Sequence, residues 1–551
     1  MELEKYCRDG DLIALQTYCT LANVTAAQVH GSYALREACL NGHLEIARWL
    51  QCTFQLTTAD MHVEIECALR GACSNGHLDV ARWLQQTFQL TAMIMRTDVS
   101  YILRQVCKHG YLEIARWLQQ TFQLTAVDAQ ANNNEALRWA CSGGHLEVAR
   151  WLQQTFQLVA PNALVVQYEA LRWACSGGHL EVARWLVQTF QLTAANARTE
   201  GTSALRNACM NGHLVVARWL QQTFQISAFD VRAADNPALY SACVNGHLEV
   251  AHWLQQTFQI TAADVRAKDE SILHGVCAGG HLEVARWLQQ TFQLTAADAR
   301  AKSTLWRTCL NGHLEVARWL QQTFQLNADD ARMSNNATLV GACGNGYLEV
   351  ACWLQQTFQL NADDARTMDN YALRLACEHG DLEVARWLQR TFQLTVTDAR
   401  ARGNYALRMA CSCGRLEVAR WLQQTFQLTA ADARSVDHEV LRWTCNRGHL
   451  KVLRWLQRTW GISPNALATD SWAPEACAAY LCSLRTLCWS PRTHADFPLH
   501  ARRLALLLLL VCQRLACSLD EPGSLPYLPP ELWLHLLSYL PAHLPTHSLA
   551  K

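Results

Sequence analysis

Cysteine and histidine recur together along this chain. Cys39 and His43, Cys73 and His77, and Cys141 and His145 share a Cys-x-x-x-His spacing. Zinc needs four converging donors, normally delivered in pairs such as Cys-x-x-Cys. No Cys-x-x-Cys occurs, and the His position reads Tyr111, Tyr347, Asp381 and Arg415 in other copies. No metal is expected. The Cys is read as a small core residue and the His as the cap of a helix start. Glu45 and Arg48, three apart, look like acid-base machinery only in isolation. Repeated along the chain, they read as a surface ion pair of a few tenths of a kcal/mol, roughly. There is no Gly-x-Ser-x-Gly, phosphate loop or His-Glu-x-x-His, so neither an enzyme nor a cofactor is expected.

Lys plus Arg is 47 and Asp plus Glu is 47 in 551 residues, a net charge of zero. That leaves no overall basic footprint for nucleic acid or an anionic membrane. Half the residues are apolar, enough for a large core. The opening Met1-Glu2-Leu3-Glu4-Lys5 lacks the pattern of a secretory signal. The longest apolar run, Leu504 to Cys512, is too short to span a bilayer. The 24 cysteines then suggest reduced thiols. The expectation is a soluble monomer, cytoplasmic or nuclear (in a host cell if the source is viral).

The elements that position these residues are periodic. Trp stands at 49, 83, 117, 151, 185, 219, 253, 287, 319, 353, 387, 421 and 455, always 34 apart except for 32 between Trp287 and Trp319. Cys stands ten residues before each Trp and Gly seven before. A degenerate copy without Trp opens the chain at Cys7 to Leu12. Within a unit, Leu35, Ala38 and Cys39 share one helical face, and Asn41-Gly42 stops that helix. A second helix follows with Leu44, Ala47, Leu50 and Phe54 on one stripe. Neither helix buries enough apolar surface alone, so neighbouring units must stack. A capping box recurs at Thr57/Asp60, Thr125/Asp128, Ser227/Asp230, Thr261/Asp264, Thr295/Asp298, Thr395/Asp398 and Thr429/Asp432, which predicts a short helical turn between units. The two-residue deletion falls just before the first helix, where a loop absorbs it.

The segment 271–288, SILHGVCAGGHLEVARWL, resembles the ankyrin repeat, and the resemblance covers about residues 1–465. It implies an all-α, ankyrin-type helical repeat solenoid of about thirteen full units plus the degenerate first one. The family's Thr-Pro-Leu-His usually reads Ala-Leu-Arg here, as at Ala136-Leu137-Arg138. The unit is 34 residues long, and a Thr-Ala-Ala-Asp-Ala-Arg turn replaces the family's hairpin. Negligible strand is therefore expected.

Recognition in a solenoid lies where the copies differ. Two columns vary, three residues apart, opposite the packed stripe. One includes Gln105, Trp139, Trp173, Arg307, Met409 and Trp443. The other includes Lys108, Met210 and Glu378. They predict a protein target on an extended concave face, with Trp139 and Trp173 as a paired aromatic anchor. The alternative is that these positions vary because nothing contacts them.

After Ser463-Pro464 the period stops. A helical linker segment is expected over 466–524 and a separate helix over 525–551. Leu528 to Pro541, LPPELWLHLLSYLP, resembles the F-box through Leu528, Pro529, Glu531, Leu532, Leu536, Leu537 and Leu540. Only ten residues follow Pro541, so the tail is similar to the truncated F-box-like (PRANC-like) tails of ankyrin proteins in large DNA viruses. The resemblance implies docking of a Skp-type adaptor of a cullin-RING ubiquitin ligase. Two alternatives stay open: a tail that only caps the array, and a SOCS-box-like elongin helix through Leu508, Cys512 and Ala516, where Leu507 departs from the small residue expected.

Overall fold

The computed structural model describes residues 2–461, apart from 23, 26–32, 92–98, 159–162, 233–236, 267–270 and 435–438. The linker segment 466–524 and the F-box-like helix 525–551, with all seven of its adaptor-binding residues, lie outside the described residues. So do Leu508, Cys512 and Ala516. Among the described residues every regular element is helical and no strand occurs. The chain is an all-α, ankyrin-type helical repeat solenoid. Its contacts divide into two units, one over 1–276 with 283–293 and the other over 277–282 with 294 onward.

Each unit of the repeat is a helix pair, and its sequence explains its ends. After the opening pair Glu2–Asp9 and Leu12–Leu21, the first pair that carries the Trp is Ala34–Leu40 followed by Leu44–Phe54. Gly42 adopts φ +80°, and the His43 N–H closes the turn on the Ala38 carbonyl at 2.9 Å. A side chain at Gly42 would also strike the His77 ring of the next unit. Leu35, Ala38, Cys39, Ala47 and Leu50 are fully buried, and Ile46 joins them at 2 % exposure. The second helix ends on a left-handed Gln in almost every copy, as at Gln359 with φ 49°. A non-glycine residue pays for that conformation in strain. The next residue compensates: the Leu360 N–H bonds the Gln355 carbonyl at 3.2 Å and its side chain is buried. From Trp49 to Trp421 each repeat Trp meets the Phe five residues on, edge to face, as Trp151 meets Phe156 at 5.5 Å and 82°, and Trp455 meets Trp460 in the same way.

The short turn between pairs is present. Capping boxes close at Thr125/Asp128, Thr295/Asp298 and Thr395/Asp398. Asn replaces the hydroxyl at Asn327/Asp330 and Asn361/Asp364. After the turn comes a feature no periodicity announced, three successive left-handed residues. They are Asn132 to Asn134, Ser334 to Asn336, Met368 to Asn370, and Arg402 to Asn404. Asn ends all four, as the residue type that tolerates this region best after Gly. The two-residue deletion is absorbed at this point. Ala296–Arg300 connects to Thr304–Leu310 through only Ala301–Ser303, with two left-handed residues, Lys302 and Ser303.

Candidate functional site

The recurring Cys and His do not converge. From Cys39 to Cys411 the repeat cysteines are buried free thiols. Burial pushes the Cys39, Cys73 and Cys141 thiols far up, and Cys7 up to about 12, with Cys19 and Glu37 adding to the effect of burial. The His occupies the N-cap position, but its side chain makes no cap hydrogen bond, which corrects the expected role. It reaches back to the preceding unit instead. The ring N–H of His43 donates to the Arg8 carbonyl at 2.9 Å, His145 to Lys108 at 3.0 Å, His179 to Ser142 at 2.9 Å and His213 to Ser176 at 3.0 Å. Each ring rests on the left-handed Gly of that unit, and Tyr111, Asp381 and Arg415 take the same seat elsewhere. This is inter-repeat joinery. The Glu/Arg pair is as exposed as expected, for example Arg150–Glu147 at 3.3 Å.

The two variable columns sit on the first helix of each pair. Trp173, Met210 and Trp443 are 44 %, 38 % and 42 % exposed. Lys108 and Arg307 are also exposed, while Gln105, Trp139, Glu378 and Met409 are half-buried. Trp139 and Trp173 do not act as an equal pair. The Lys108 ammonium lies 4.8 Å from the Trp139 ring centre, which leaves Trp173 as the more open ring.

The columns are not free to drift, either. The second column of one unit packs on the first column of the next, and at four joints a large side chain meets a glycine, although Lys108 over Trp139 sets two large ones together. A side chain added at Gly71 would meet Leu40, one at Gly275 would meet Val244, and one at Gly341 would meet Leu310 at 2.9 Å. The sense reverses at Gly344, which faces Leu375. Across other joints Ser142 precedes Trp173 and Ser412 precedes Trp443. Close packing between units requires a nearly constant volume at each joint. Part of the variation is therefore steric compensation. Variation left over for a partner sits where a large side chain stands beside a small one yet stays exposed, as at Trp173 and Trp443.

Sequence reasoning passed over a third column on the same face. Three residues before each Cys stand Arg36, Arg70, Arg104, Arg138, Arg172 and Arg206, then Tyr240, His274, Trp306 and Val340, then Arg374, Arg408 and Arg442. Several of these cross the joint to a carboxylate: Arg104 to Glu135 at 2.9 Å, Arg138 to Glu169 at 2.8 Å and Arg408 to Glu439 at 2.8 Å. Arg374, only 3 % exposed, instead lies between the rings of Tyr371 and Tyr405, 5.0 and 4.9 Å from their centres. It donates to the Met368 carbonyl at 2.9 Å. Its signal in the sequence is the Arg of Ala-Leu-Arg, which within a single copy shows only a departure from the Thr-Pro-Leu-His motif.

Among the described residues no cluster of His, Cys, Asp and Glu is arranged to hold a metal, and no helix is long and apolar enough to cross a membrane. A family model described as ankyrin repeats, three copies, matches residues 103–196, 153–230, 171–269 and 339–432. No curated protein matches the chain. One solved structure it is similar to is described as "Circular tandem repeat protein with novel repeat topology and enhanced subunit contact surfaces". That chain is 14 % identical, the match covers 87 % of this chain and 92 % of that one, and the TM-score is 0.10. At that score the likeness carries no argument.

Proposed function

We propose, on the premise that this chain carries ankyrin repeats and is a protein-interaction scaffold, that it is an adaptor that brings a captured protein to a cullin-RING ubiquitin ligase. The captured protein lies on the first-helix face and contacts the exposed Trp173, Met210, Arg307 and Trp443, with Lys108, Trp139, Gln105, Glu378 and Met409 beside them. The helix at 525–551 engages a Skp-type adaptor through Leu528, Pro529, Glu531, Leu532, Leu536, Leu537 and Leu540. One observation carries the first half. Large apolar side chains stay exposed on a face whose neighbouring positions are sterically matched, and exposed apolar groups of this kind mark interaction surfaces. The F-box-like pattern of the tail supports the second half.

Titration of the full chain with a purified Skp-type adaptor tests the ligase half. The wild-type chain binds. Leu532→Ala with Leu536→Ala abolishes binding, because each buried Leu contributes on the order of 2 kcal/mol. The helical signal is preserved, since repeat units contact only their neighbours. A wild-type chain that does not bind the adaptor ends the ligase reading. A second reading, a scaffold whose tail only caps the array, is favoured by one observation. Val452, Leu453 and Leu456 in the last described pair are 1 %, 2 % and 0 % exposed, as buried as their counterparts inside the array. An adaptor-negative chain that loses its last repeats on truncation after Gly461 supports that reading.

A further inference from the structure

The zero net charge of the chain conceals a division. Residues 1–399 hold 30 Arg and Lys against 37 Asp and Glu, whereas residues 400–461 hold 11 against 4. Part of the surplus lines up on the last described helix, Leu450–Trp460, and the turn ahead of it. Lys451, Arg454 and Arg458 fall at i, i+3 and i+7, one face of that helix, and Arg447 precedes them by four residues. Arg447, Lys451 and Arg458 are exposed and Arg454 is half-buried. In the preceding pair the same four positions hold Cys413, Glu417, Arg420 and Gln424, a stripe with no net charge. Lys451 thus reverses the acid that nearly every other copy carries at its position.

The carboxylates around this stripe are engaged elsewhere. On the two helices packed against it, Glu417 pairs with Arg420 at 3.1 Å and Glu439 with Arg408 at 2.8 Å. In the last turn Asp432 holds Arg400 at 2.7 Å, and Asp437 lies outside the described residues. Arg442 and Arg458 have contacts of their own. That leaves Arg447, Lys451 and Arg454 as cations that no described carboxylate pairs. Arg447 donates to the Cys413 sulfur at 3.2 Å, and its guanidinium lies 5.6 Å from the centre of the open Trp443 ring. The apolar side of the helix, Val452, Leu453 and Leu456, is buried, and its exposed residues, Lys451, Arg458 and Thr459, include none that is apolar. A protein partner needs an apolar anchor at the centre of its interface. A phosphate backbone needs only cations, and the bases of a single strand stack on an open ring. We propose that Arg447, Lys451 and Arg454, with Trp443 beside them, bind a single strand of nucleic acid, its phosphates along the cations and a base on the ring. The site adjoins the first-helix face at Trp443 and does not depend on the ligase half of the proposed function.

The test uses the full chain and two labelled probes of equal length, an oligothymidine and an oligoglutamate, read by fluorescence anisotropy. The oligothymidine binds more tightly, and the logarithm of its affinity falls linearly with that of the salt concentration. Arg447→Asn with Lys451→Glu installs the residues that another copy carries at Asn345 and Glu349, so the helical circular dichroism is unchanged. Affinity for the oligothymidine nevertheless drops about tenfold, and its salt dependence becomes shallower. Trp443→Ala weakens binding as well. Glu417→Lys writes the same cation into the preceding pair and strengthens binding several-fold, a gain that unfolding cannot produce. The proposal is overturned if the oligothymidine fails to bind or if any of these three variants leaves its affinity unchanged. It is equally overturned if the oligoglutamate binds as tightly, which would make an acidic protein segment the occupant.

Discussion

The inter-repeat turns at Thr125–Gln130 and Asn361–Arg366 begin alike and end differently. Both open with a capping box, closed by Asp128 and Asp364. In the later turn the carboxylate does double duty. Asp364 accepts from the Asn361 N–H at 2.8 Å and from Arg332 of the preceding unit, at 2.9 Å from Nε and 3.1 Å from Nη2. Arg366 then reaches forward to Asp398 at 3.0 Å, and Arg300–Asp330 and Arg400–Asp432 repeat the clamp. Asp128 takes the Ser100 hydroxyl at 3.3 Å instead, and Gln130 stands where the forward-reaching Arg would be. From Ser227 onward every turn carries both Asp and Arg. Earlier, Gln130, Asn162, Leu164 and Asn196 break the pair. The same local motif thus serves as a cap at Thr125 and, from the Arg232–Asp264 pair onward, as a cap plus an inter-unit tie.

Acid should separate the two regions most strongly. Burial raises the Asp364 carboxyl, but hydrogen bonds from Arg332 and from the Asn361 N–H, with the Arg332 charge, outweigh it and hold it below the ordinary range. Asp330, Asp398 and Asp432 are lowered in the same way. A lowered carboxyl stabilises the fold above its unfolded value, about 3.9, and that stability is lost as pH falls through the folded value. With Asp264, held by Arg232, at least five clamps fail together from Ser227 onward, whereas Asp128, lowered by Thr125 and Ser100 against burial, gives up only a cap. The reverse holds nearer neutrality. Burial, then the neighbouring His145 and His213, lower His179 against the hydrogen bond to Ser142. Its neutral form is favoured on folding, so stability declines as pH falls below about 6.5. Three of the later copies carry Tyr347, Asp381 and Arg415 in that seat instead of an imidazole. Hydrogen exchange at a series of pH values, resolved by peptide, reads both.

Single substitutions should follow the same division. Asp364→Ala removes a cap and strands Arg332, a loss of about 2 kcal/mol. Asp128→Ala removes the cap alone, about 1 kcal/mol. Equal losses in denaturant titrations would show that the clamp contributes nothing. The smallest effect is expected for Ser100→Ala, which takes only the hydroxyl from Asp128 and costs about 0.5 kcal/mol, checked by the same titration.

Much of this was legible in the chain before any coordinates. The 34-residue period set the helix pairs, the Gly stops and the buried Cys, because helical packing demands the same residue at the same place in every copy. The capping boxes were legible because both partners lie within four residues. What escaped was anything spanning a joint. Arg332 and Asp364 are 32 apart, and neither column suggests the other until the units are stacked. Leu310 and Gly341 look like unrelated variation when copies are aligned, and become a matched pair only when one unit is laid against the next. His145 was read as a cap because its backbone position is that of a cap, while its ring bonds the unit before. The left-handed turn ending at Asn336 leaves no apolar period to read.

Hydrogen exchange of the unmodified full chain at neutral pH tests the central comparison most directly. The amides of Ala362–Arg366, tied through Asp364 and Arg366 to both neighbours, should exchange several-fold more slowly than those of Ala126–Gln130, which share the cap but not the forward tie. Equal exchange in the two turns, or faster exchange in the later one, would contradict the account.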